Sequence, residues 1–294
     1  MAKPFVKWLG GKTRLTGQIL KYCPNNIETY VEPLVGGGAV MFGILNSRPD
    51  IKNIIINDIN FPLMNTYRVI KENPNELIAY LKRYEKLYLV NDFDIRTKIY
   101  YLNRDRFNDL KQDLTMRSSL AKRIEYASLL IFLNKTCFNG LYRENSKGLF
   151  NTPHGKYKNP TICDTSNILE CSELFNKVNL QIYNMEFEDF LDTISSKFGK
   201  NTFVYFDPPY KPISETSAFT SYTKNGFDDR DHKHVKFVAE ELVDAGCKVV
   251  ISNSKHEYIE QIYSKWFIEV TQAARSVNCK GDKRGKIDEL IIHN

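Results

Sequence analysis

The residues with the clearest chemical potential are four consecutive ones, Asp207-Pro208-Pro209-Tyr210, which follow the apolar run Phe203–Phe206. Two prolines restrict the backbone and carry no N–H, so their carbonyl groups remain available as acceptors. A carboxylate and a nearby carbonyl can accept both hydrogen bonds of one amino group, and an adjacent aromatic ring gives a planar base a stacking surface. The tetrapeptide therefore predicts a site that holds an exocyclic amine. A rigid surface turn after a core strand is the alternative.

A glycine cluster, Gly36-Gly37-Gly38, lies between a strand-like run at Thr29–Glu32 and an apolar helix pattern that begins at Ala39. Glycines at such a turn let backbone amides approach a ligand, and open α/β sheets bind ligands beyond the carboxyl ends of their strands. Asp58 ends the next strand, about 20 residues later, where an acidic group can bond ribose hydroxyls. This combination favours a nucleoside ligand. The alternatives are a tight turn without a ligand and an Asp that caps the next helix.

Several patterns argue against competing kinds of site. The glycines do not match the dinucleotide motif GxGxxG, because Gly43 falls too late. Gly10-Gly11-Lys12-Thr13 resembles the end of a P-loop, but the first glycine of that motif would have to stand at Val6, and no strand precedes it. The six cysteines form no CxxC pair, so we expect neither a zinc ribbon nor a redox dithiol.

Composition places the chain among ordinary globular proteins. Of its 294 residues, 42% are hydrophobic and 26% are charged, which permits a packed core. A net charge of +6 is compatible with a polyanionic partner, although many proteins without one share it. The N-terminus lacks the apolar run of a signal peptide, and the longest apolar stretch, Leu129–Leu133, is too short to span a bilayer. We therefore expect a soluble, cytoplasmic protein with no membrane partner.

The elements that must position these residues follow from periodicity. A strand, a glycine turn, a helix from Ala39 and a second strand at Ile54–Ile56 make a βαβ unit, which implies a parallel sheet. From about residue 63 to 136 the pattern is helical. Residues 138–158 then contain turn residues at intervals that indicate a β-hairpin with flanking loops. Later strands are predicted at Leu180–Tyr183, Phe203–Phe206, Lys248–Ser252, Trp266–Val270 and Glu289–Ile292, with a helix at Val235–Val243. One α/β sheet is thus built from both ends of the chain, around an insertion of about 100 residues.

Four motifs stand in an order that is typical of one known family: KWLGGK at Lys7–Lys12, EPLVGGG at Glu32–Gly38, NDIN at Asn57–Asn60 and DPPY at Asp207–Tyr210. With them the chain resembles the Dam-type DNA adenine-N6 methyltransferases, whose recognition region lies between the glycine motif and DPPY. The segments 138–143 and 148–158 are similar to the family's DNA-recognition hairpin, and Lys286–Leu290 is similar to its closing strand.

This resemblance implies a fold and a division of labour. The expected fold is a Rossmann-like methyltransferase sheet, mostly parallel with an antiparallel closing strand, that carries an inserted helical plus β-hairpin DNA-recognition domain. Residues 1–62 and 168–294 would form the catalytic domain, which binds S-adenosyl-methionine, and residues 63–167 would form the target-recognition insertion.

The resemblance also implies residue roles. The catalytic residues would be Asp207, Pro208, Pro209 and Tyr210, holding an adenine that has been rotated out of the duplex. S-adenosyl-methionine would be bound by Trp8, Lys12, Pro33, Leu34, Gly36, Gly38, Asp58, Phe187 and Asp207. Double-stranded DNA would be contacted by Lys7, Phe138, Asn139, Leu141, Arg143, Pro153, Lys156 and Tyr157. No metal is expected.

The expected target is the adenine of GATC. Lys7 and Tyr157 would address its first guanine, and Leu141, Arg143 and Pro153 would read the later base pairs. Arg143 can donate two hydrogen bonds to a guanine, and Phe138 is an aromatic wedge suited to a broken base stack. His154 and Lys156 stand where the family more often has Phe and Arg.

The expected reaction is direct transfer without a covalent enzyme intermediate. A cytosine-C5 route would need a cysteine nucleophile, and the chain has no Pro-Cys pair, since Cys23-Pro24 has the reverse order. DPPY alone leaves open the methylation of cytosine N4 or of an RNA amine. An inactive relative that only binds DNA is a further alternative. The polar stretch Ser214–Asp231 is either a lid over the site or a disordered connection.

Overall fold

The computed structural model describes residues 1–194, 198–212, 227–274 and 286–294. Most of the stretch Ser214–Asp231, for which a lid or a disordered connection is predicted, lies outside the described residues, as does Cys279. The chain divides into two compact units. The helical unit contains residues 1–11, 36–42 and 60–178, and the sheet unit contains residues 12–35, 43–59 and 179–294.

The sheet unit contains a seven-stranded sheet in the order β3-β2-β1-β4-β5-β7-β6. Its strands are β1 (Thr29–Glu32), β2 (Asn53–Ile56), β3 (Asn179–Ile182), β4 (Thr202–Phe206), β5 (Lys248–Ser254), β6 (Phe267–Ala274) and β7 (Lys286–His293). Strands β1 to β5 pair in parallel, whereas β7 is antiparallel to both of its neighbours. The expected fold class, a mostly parallel α/β sheet with one antiparallel closing strand, is confirmed.

Ten α-helices occur among the described residues. The sheet unit carries α1 (Thr16–Ile19), α8 (Phe187–Ile194), α9 (Asp229–Asp244) and α10 (Glu257–Ile262), and α2 (Ala39–Ser47) belongs partly to each unit. The helical unit carries α3 (Phe61–Glu72), α4 (Pro74–Leu89), α5 (Phe93–Asp113), α6 (Leu120–Thr136) and α7 (Thr165–Lys177). The long helical pattern is divided where Pro74 starts α4 and where Asp92 caps α5 by accepting from the Ile95 N–H at 2.9 Å.

The tetrapeptide begins where the central strand β4 ends, at the edge of the core of the sheet unit. Strand β4 is buried along its whole length, as expected for a central parallel strand that is covered on both faces. Val204 and Phe206 belong to a cluster that includes Phe190 of α8 and Leu242 of α9. Asp207 is therefore the first residue at which the chain leaves this core.

The predicted hairpin in the helical unit is only partly regular. Glu144 and Phe150 form an isolated antiparallel bridge, and the Asn151 N–H donates to the Arg143 carbonyl at 3.0 Å. A tight turn joins the two sides, closed by a 2.8 Å bond from the Gly148 N–H to the Asn145 carbonyl. Gly148 has φ +73°, a conformation that suits glycine.

No helix in the described part of the chain is long and apolar enough to cross a membrane. The five cysteines within the described ranges, Cys23, Cys137, Cys163, Cys171 and Cys247, are all free.

Gly43 of α2 gives a test of packing in the sheet unit. A Cβ placed there would lie 2.2 Å from Thr16 Cγ2, and Thr16 is held in place because its hydroxyl donates to the Lys12 carbonyl at 3.0 Å. Overpacking costs about 1–3 kcal/mol, and the better helix propensity of alanine returns up to about 1 kcal/mol. We therefore predict that Gly43→Ala lowers the free energy of unfolding in urea by about 1–2 kcal/mol.

Thr16→Ser is the matched background, since it deletes the methyl group and keeps the hydroxyl. In that background Gly43→Ala should be neutral or stabilising. An equal loss of stability in both backgrounds would contradict the packing account.

Candidate active site

A largely buried ion pair lies at the end of β4. Lys12 Nζ is 3.0 Å from Asp207 Oδ1, and the two side chains are only 7% and 19% exposed. Lys12 itself is held at the start of α1, where its carbonyl accepts from the Leu15 and Thr16 N–H groups at 2.8 and 2.9 Å. Burying two charges is costly unless they are paired, so each residue requires the other. The structure thus brings together two residues that the sequence predicted to share one site.

Tyr210 completes this cluster. Lys12 Nζ lies 4.4 Å from the centre of the Tyr210 ring, a cation–π distance. The Tyr210 hydroxyl donates to Glu289 Oε2 at 2.7 Å. Glu289 belongs to the closing-strand motif, but nothing in the sequence indicates its contact with the tetrapeptide.

The cluster shifts the titration of Asp207. Burial raises the pKa of Asp207 to about 6, Lys12 opposes this shift, and the negative charge of Glu289 adds to it. At neutral pH Asp207 is therefore ionised and accepts hydrogen bonds, and it becomes protonated as the pH falls through about 6. Burial also raises the pKa of Tyr210 well above its usual value, so its hydroxyl remains a donor throughout this range.

Asn57 organises the neighbouring strand ends. Its buried side chain donates to the Pro33 carbonyl at 3.0 Å and to the Met185 carbonyl at 3.2 Å, and it accepts from the Met185 N–H at 3.0 Å. Pro33, Leu34 and Asp58 consequently lie at the carboxyl edge of β1 and β2. The sequence placed Asn57 in a motif but assigned it no role.

Asp58 is half-buried beside this junction. Its carbonyl accepts from the Asn184 amide at 2.8 Å. The next helix, α3, is capped by Asn60, whose side chain accepts from the Leu63 N–H at 2.9 Å. The alternative in which Asp58 merely caps that helix is therefore wrong.

Phe187, the remaining cofactor candidate of the sheet unit, begins α8 and is half-buried. Its ring lies 5.3 Å from that of Phe227 and meets His234 edge-on at 5.8 Å. These contacts fix the orientation of an aromatic surface that could stack on a purine.

In the helical unit, Trp8 explains why the turn consists of glycines. A Cβ on Gly36 would lie 2.8 Å from Trp8 Cδ1, and one on Gly37 would lie 2.9 Å from Trp8 Cβ. Gly36 and Gly38 also have φ values of +48° and +72°. Packing and backbone conformation thus require glycine here whether or not a ligand binds.

The same indole contacts the segment 138–158, for which a DNA-recognition hairpin is predicted. Trp8 stacks on Tyr142 with ring centres 5.4 Å apart, and the Tyr142 hydroxyl donates to Glu144, which pairs with Lys111. Tyr142 directly precedes Arg143. Sequence reasoning overlooked this contact, because nothing in the spacing of residues 8 and 142 indicates it.

Three DNA candidates, Lys7, Asn139 and Tyr157, lie together. Lys7 Nζ is 5.4 Å from the centre of the Tyr157 ring, and the Tyr157 hydroxyl accepts from the Asn139 N–H at 3.0 Å. Buried Asn134 holds them in register: it accepts from the Lys7 N–H at 2.8 Å and donates to the carbonyls of Lys7 and Gly140 at 2.8 and 3.0 Å. An amide that directly follows the apolar run Leu129–Leu133 of α6 is the signal that could have identified it.

The other DNA candidates are spread over the same segment. Phe138 is 54% exposed, Leu141 is half-buried and Pro153 is exposed. Arg143 is exposed, and its Nε donates to Asn151 Oδ1 at 2.8 Å. Exposed Lys156 has φ +57° and its ammonium lies 5.5 Å from the Phe93 ring centre.

His154 differs from its neighbours because it is buried. It bonds to the Tyr88 hydroxyl at 2.6 Å and to the Thr97 hydroxyl at 3.1 Å. Burial lowers the pKa of His154, and the charges of Lys156 and Arg96 lower it further. It is therefore a neutral structural residue.

Comparison with known proteins decides the family. A profile described as D12 class N6 adenine-specific DNA methyltransferase matches residues 8–277. The chain belongs to this family. It is 42% identical over 300 residues to the type II methyltransferase M.MjaIII of Methanocaldococcus jannaschii, covering 99% of both chains. It is 37% identical to M1.LlaDCHI of Lactococcus lactis subsp. cremoris, with 99% of this chain and 95% of the relative covered. It is 32% identical to the DNA adenine methylase of Escherichia coli K12, with 98% and 94% covered.

The chain is therefore an adenine-specific DNA methyltransferase, and the predicted Dam-type resemblance is confirmed. Membership of the D12 class favours adenine N6 of DNA over cytosine N4 or an RNA amine, and an enzyme over a protein that only binds DNA. Among the residues that the structure describes, no group of three or more His, Cys, Asp or Glu side chains could hold a metal ion.

The ion pair of this D12 methyltransferase gives a direct test. Lys12→Met should raise the pKa of Asp207 above about 6, because the opposing cation is lost while burial and Glu289 remain. A ¹³C NMR titration of the Asp207 carboxyl group, assigned with Asp207→Asn, measures the shift. Lys21→Met, at an exposed position that follows α1, should leave it unchanged. An unaltered pKa in Lys12→Met would show that Lys12 does not stabilise the carboxylate.

Proposed function

We propose that this enzyme transfers the methyl group of S-adenosyl-methionine to N6 of an adenine that is rotated out of double-stranded DNA, within the sequence GATC. The observation that carries the proposal is the cluster of Lys12, Asp207 and Tyr210, in which a largely buried carboxylate meets a cation and an aromatic ring at the end of a central parallel strand. Such strand ends are where open α/β sheets bind their ligands.

The donor groups of the sheet unit fit S-adenosyl-methionine. Asp207 Oδ1 is buried, and among the described residues it has no hydrogen-bond partner of good geometry apart from its ion pair with Lys12. Half-buried Asp58 suits ribose hydroxyls, and Phe187 suits stacking on adenine. Pro33 and Leu34 are further candidates at the same strand edge, and Trp8, Gly36 and Gly38 of the helical unit are candidates from the resemblance. When bound, S-adenosyl-methionine supplies an electrophilic methyl group on a sulfonium.

The tetrapeptide would act by alignment rather than by strong base catalysis. The Asp207 carboxylate and the Pro208 carbonyl would accept the two hydrogens of the adenine amine, leaving its lone pair directed at the electrophile. Tyr210 would stack on the base, and Pro209 would keep the turn rigid. As positive charge develops on N6, the Asp207 carboxylate would stabilise it. This role requires the ionised form, so kcat/KM should fall as the pH decreases through about 6.

The helical unit offers the groups that DNA binding needs. Exposed Phe138 could occupy the space that a rotated base leaves in the stack. Lys7, Asn139 and Tyr157 would bind one base pair together, while Leu141, Arg143 and Pro153 would read others. Lys156 would contact phosphate, and such contacts make affinity salt-dependent. The choice of GATC rests on the family resemblance of this segment.

Removal of the carboxylate tests the reaction. Asp207→Ala should lower kcat by a factor on the order of 10²–10³ or more, since one preorganised group at the developing charge is lost, while duplex affinity stays within severalfold. Analysis of the product as nucleosides should find N6-methyladenine, and a 2-aminopurine placed at the target should fluoresce on binding. Exposed Asp244→Ala is the control and should behave as the wild type. Full methyl transfer by Asp207→Ala would refute the assigned role.

A second test concerns the recognition sequence. Methylated DNA should change its sensitivity to endonucleases that differ in tolerance of methyladenine in GATC, and unchanged cutting would rule this target out. Arg143→Ala should cost about 1–3 kcal/mol and relax discrimination at one base pair. Lys156→Ala, at the exposed residue proposed to contact phosphate, should weaken binding equally for all sequences. If Arg143→Ala also acts equally on all of them, Arg143 contacts phosphate rather than a base.

A further inference from the structure

Glu289 is a carboxylate for which the proposed reaction gives no role. It lies in β7, the antiparallel strand, between Ser254 of β5 and Thr271 of β6. Its half-buried side chain accepts the hydroxyl of Tyr210 at 2.7 Å. A residue 79 positions further along the chain thus holds the distal end of the catalytic aromatic ring.

We propose that Glu289 is a positioning residue for methyl transfer, which fixes the Tyr210 ring through the phenol hydrogen bond so that the ring can stack on the target adenine. This inference rests on the proposed function, because it assumes that Tyr210 contacts the base.

The surrounding contacts support this role. The main chain next to Tyr210 is held by β5, since the Lys211 N–H donates to Asn253 Oδ1 at 3.3 Å and Ser254 Oγ donates to the Lys211 carbonyl at 2.7 Å. Glu289 is the register partner of Ser254. Adjacent residues of β5 and β7 therefore fix both the backbone and the hydroxyl of the aromatic residue.

Two interactions define the orientation of the ring. The hydrogen bond to Glu289 fixes its long axis but permits rotation about that axis. Lys12 Nζ, 4.4 Å from the ring centre, lies over one face and favours one plane. A base can then stack on the opposite face. Ordering the ring before the base arrives reduces the entropy that must be lost on binding.

The charge of Glu289 has a consequence for Asp207. Two charged groups act on the Asp207 carboxylate besides its burial: Lys12 favours the ionised form and Glu289 opposes it. Burial raises the pKa of Tyr205 and of Tyr210, and the negative charge of Asp207 raises both further, so these two phenols stay neutral. An uncharged acceptor at position 289 would still bind the phenol. It would also lower the pKa of Asp207, because one negative neighbour is lost.

Three variants separate these effects under single-turnover conditions. Glu289→Ala and Tyr210→Phe each remove the hydrogen bond, and we expect each to slow methylation roughly 10-fold or more, a loss of about 1.4 kcal/mol, with little change in the dissociation constants of S-adenosyl-methionine and DNA. Because both changes delete the same interaction, the double variant should be no slower than the slower single one. Glu289→Gln keeps an acceptor, so it should remain within a fewfold of the wild-type rate.

The pH profile gives a readout that a merely structural role would not move. Glu289→Gln should shift the acid limb of kcat/KM to lower pH, since protonation of Asp207 then occurs at lower pH. Asp288→Asn, the same kind of change at the next residue of β7, where the side chain points to the other face of the sheet, should not shift it. Thermal unfolding of each variant checks the fold, and Tyr210→Phe and Glu289→Gln, which preserve shape, carry the test if Glu289→Ala does not fold.

Additive losses in the double variant, or a Tyr210→Phe enzyme as fast as the wild type, would overturn the positioning role. That result differs from failure of the proposed function, which would appear as undiminished methylation by Asp207→Ala. If Asp207→Ala is inactive while Tyr210→Phe is fully active, the positioning role of Glu289 is refuted and the proposed function is not.

Discussion

The candidate site depends on the ion pair between Lys12 and Asp207. Burial raises the pKa of a carboxylate that leaves the core at the end of a fully buried strand, and Lys12 opposes this shift from the start of α1. The ion pair also keeps Asp207 in the ionised form, in which it only accepts hydrogen bonds. Without the cation, Asp207 would tend to bind a proton and would become a hydrogen-bond donor as well as an acceptor, so the tetrapeptide would no longer present two acceptors to an amine.

Much of the framework could be predicted from the sequence, because strands and turns leave local signals. The uninterrupted apolar run Phe203–Phe206 indicated a buried parallel strand, and it ends at Asp207 as expected. The predicted closing strand Glu289–Ile292 also lies within β7, where Leu290, Ile291 and Ile292 are all buried. Helices α7 and α8 were not predicted. Their apolar positions, such as Ile168, Cys171 and Phe175 of α7, are separated by polar residues, so neither helix contains an apolar run longer than two residues.

The side chains that contact residues distant along the chain could not be predicted in the same way. Asn57, Asn134, Tyr142 and Glu289 each bind a partner that is distant along the chain. Their types are common at surfaces, and only burial reveals that their polar groups must be satisfied. Asn134 illustrates the point: an amide next to the apolar run Leu129–Leu133 looks unfavourable until its bonds to Lys7 and Gly140 are seen. The roles of the cofactor and DNA candidates, and the boundaries at residues 62 and 167, remain predictions.

Charge balance connects the cluster to its proposed ligand. Lys12 neutralises Asp207, while Glu289 contributes a second negative charge through its bond to Tyr210. Two carboxylates and one ammonium leave these residues with a net negative charge in partly buried surroundings, where electrostatic interactions are stronger than in water. Such an environment favours a ligand that brings positive charge. A sulfonium donor meets that requirement, whereas an anionic ligand such as a nucleoside triphosphate would be repelled, which agrees with the rejection of the P-loop interpretation of Gly10-Gly11-Lys12-Thr13.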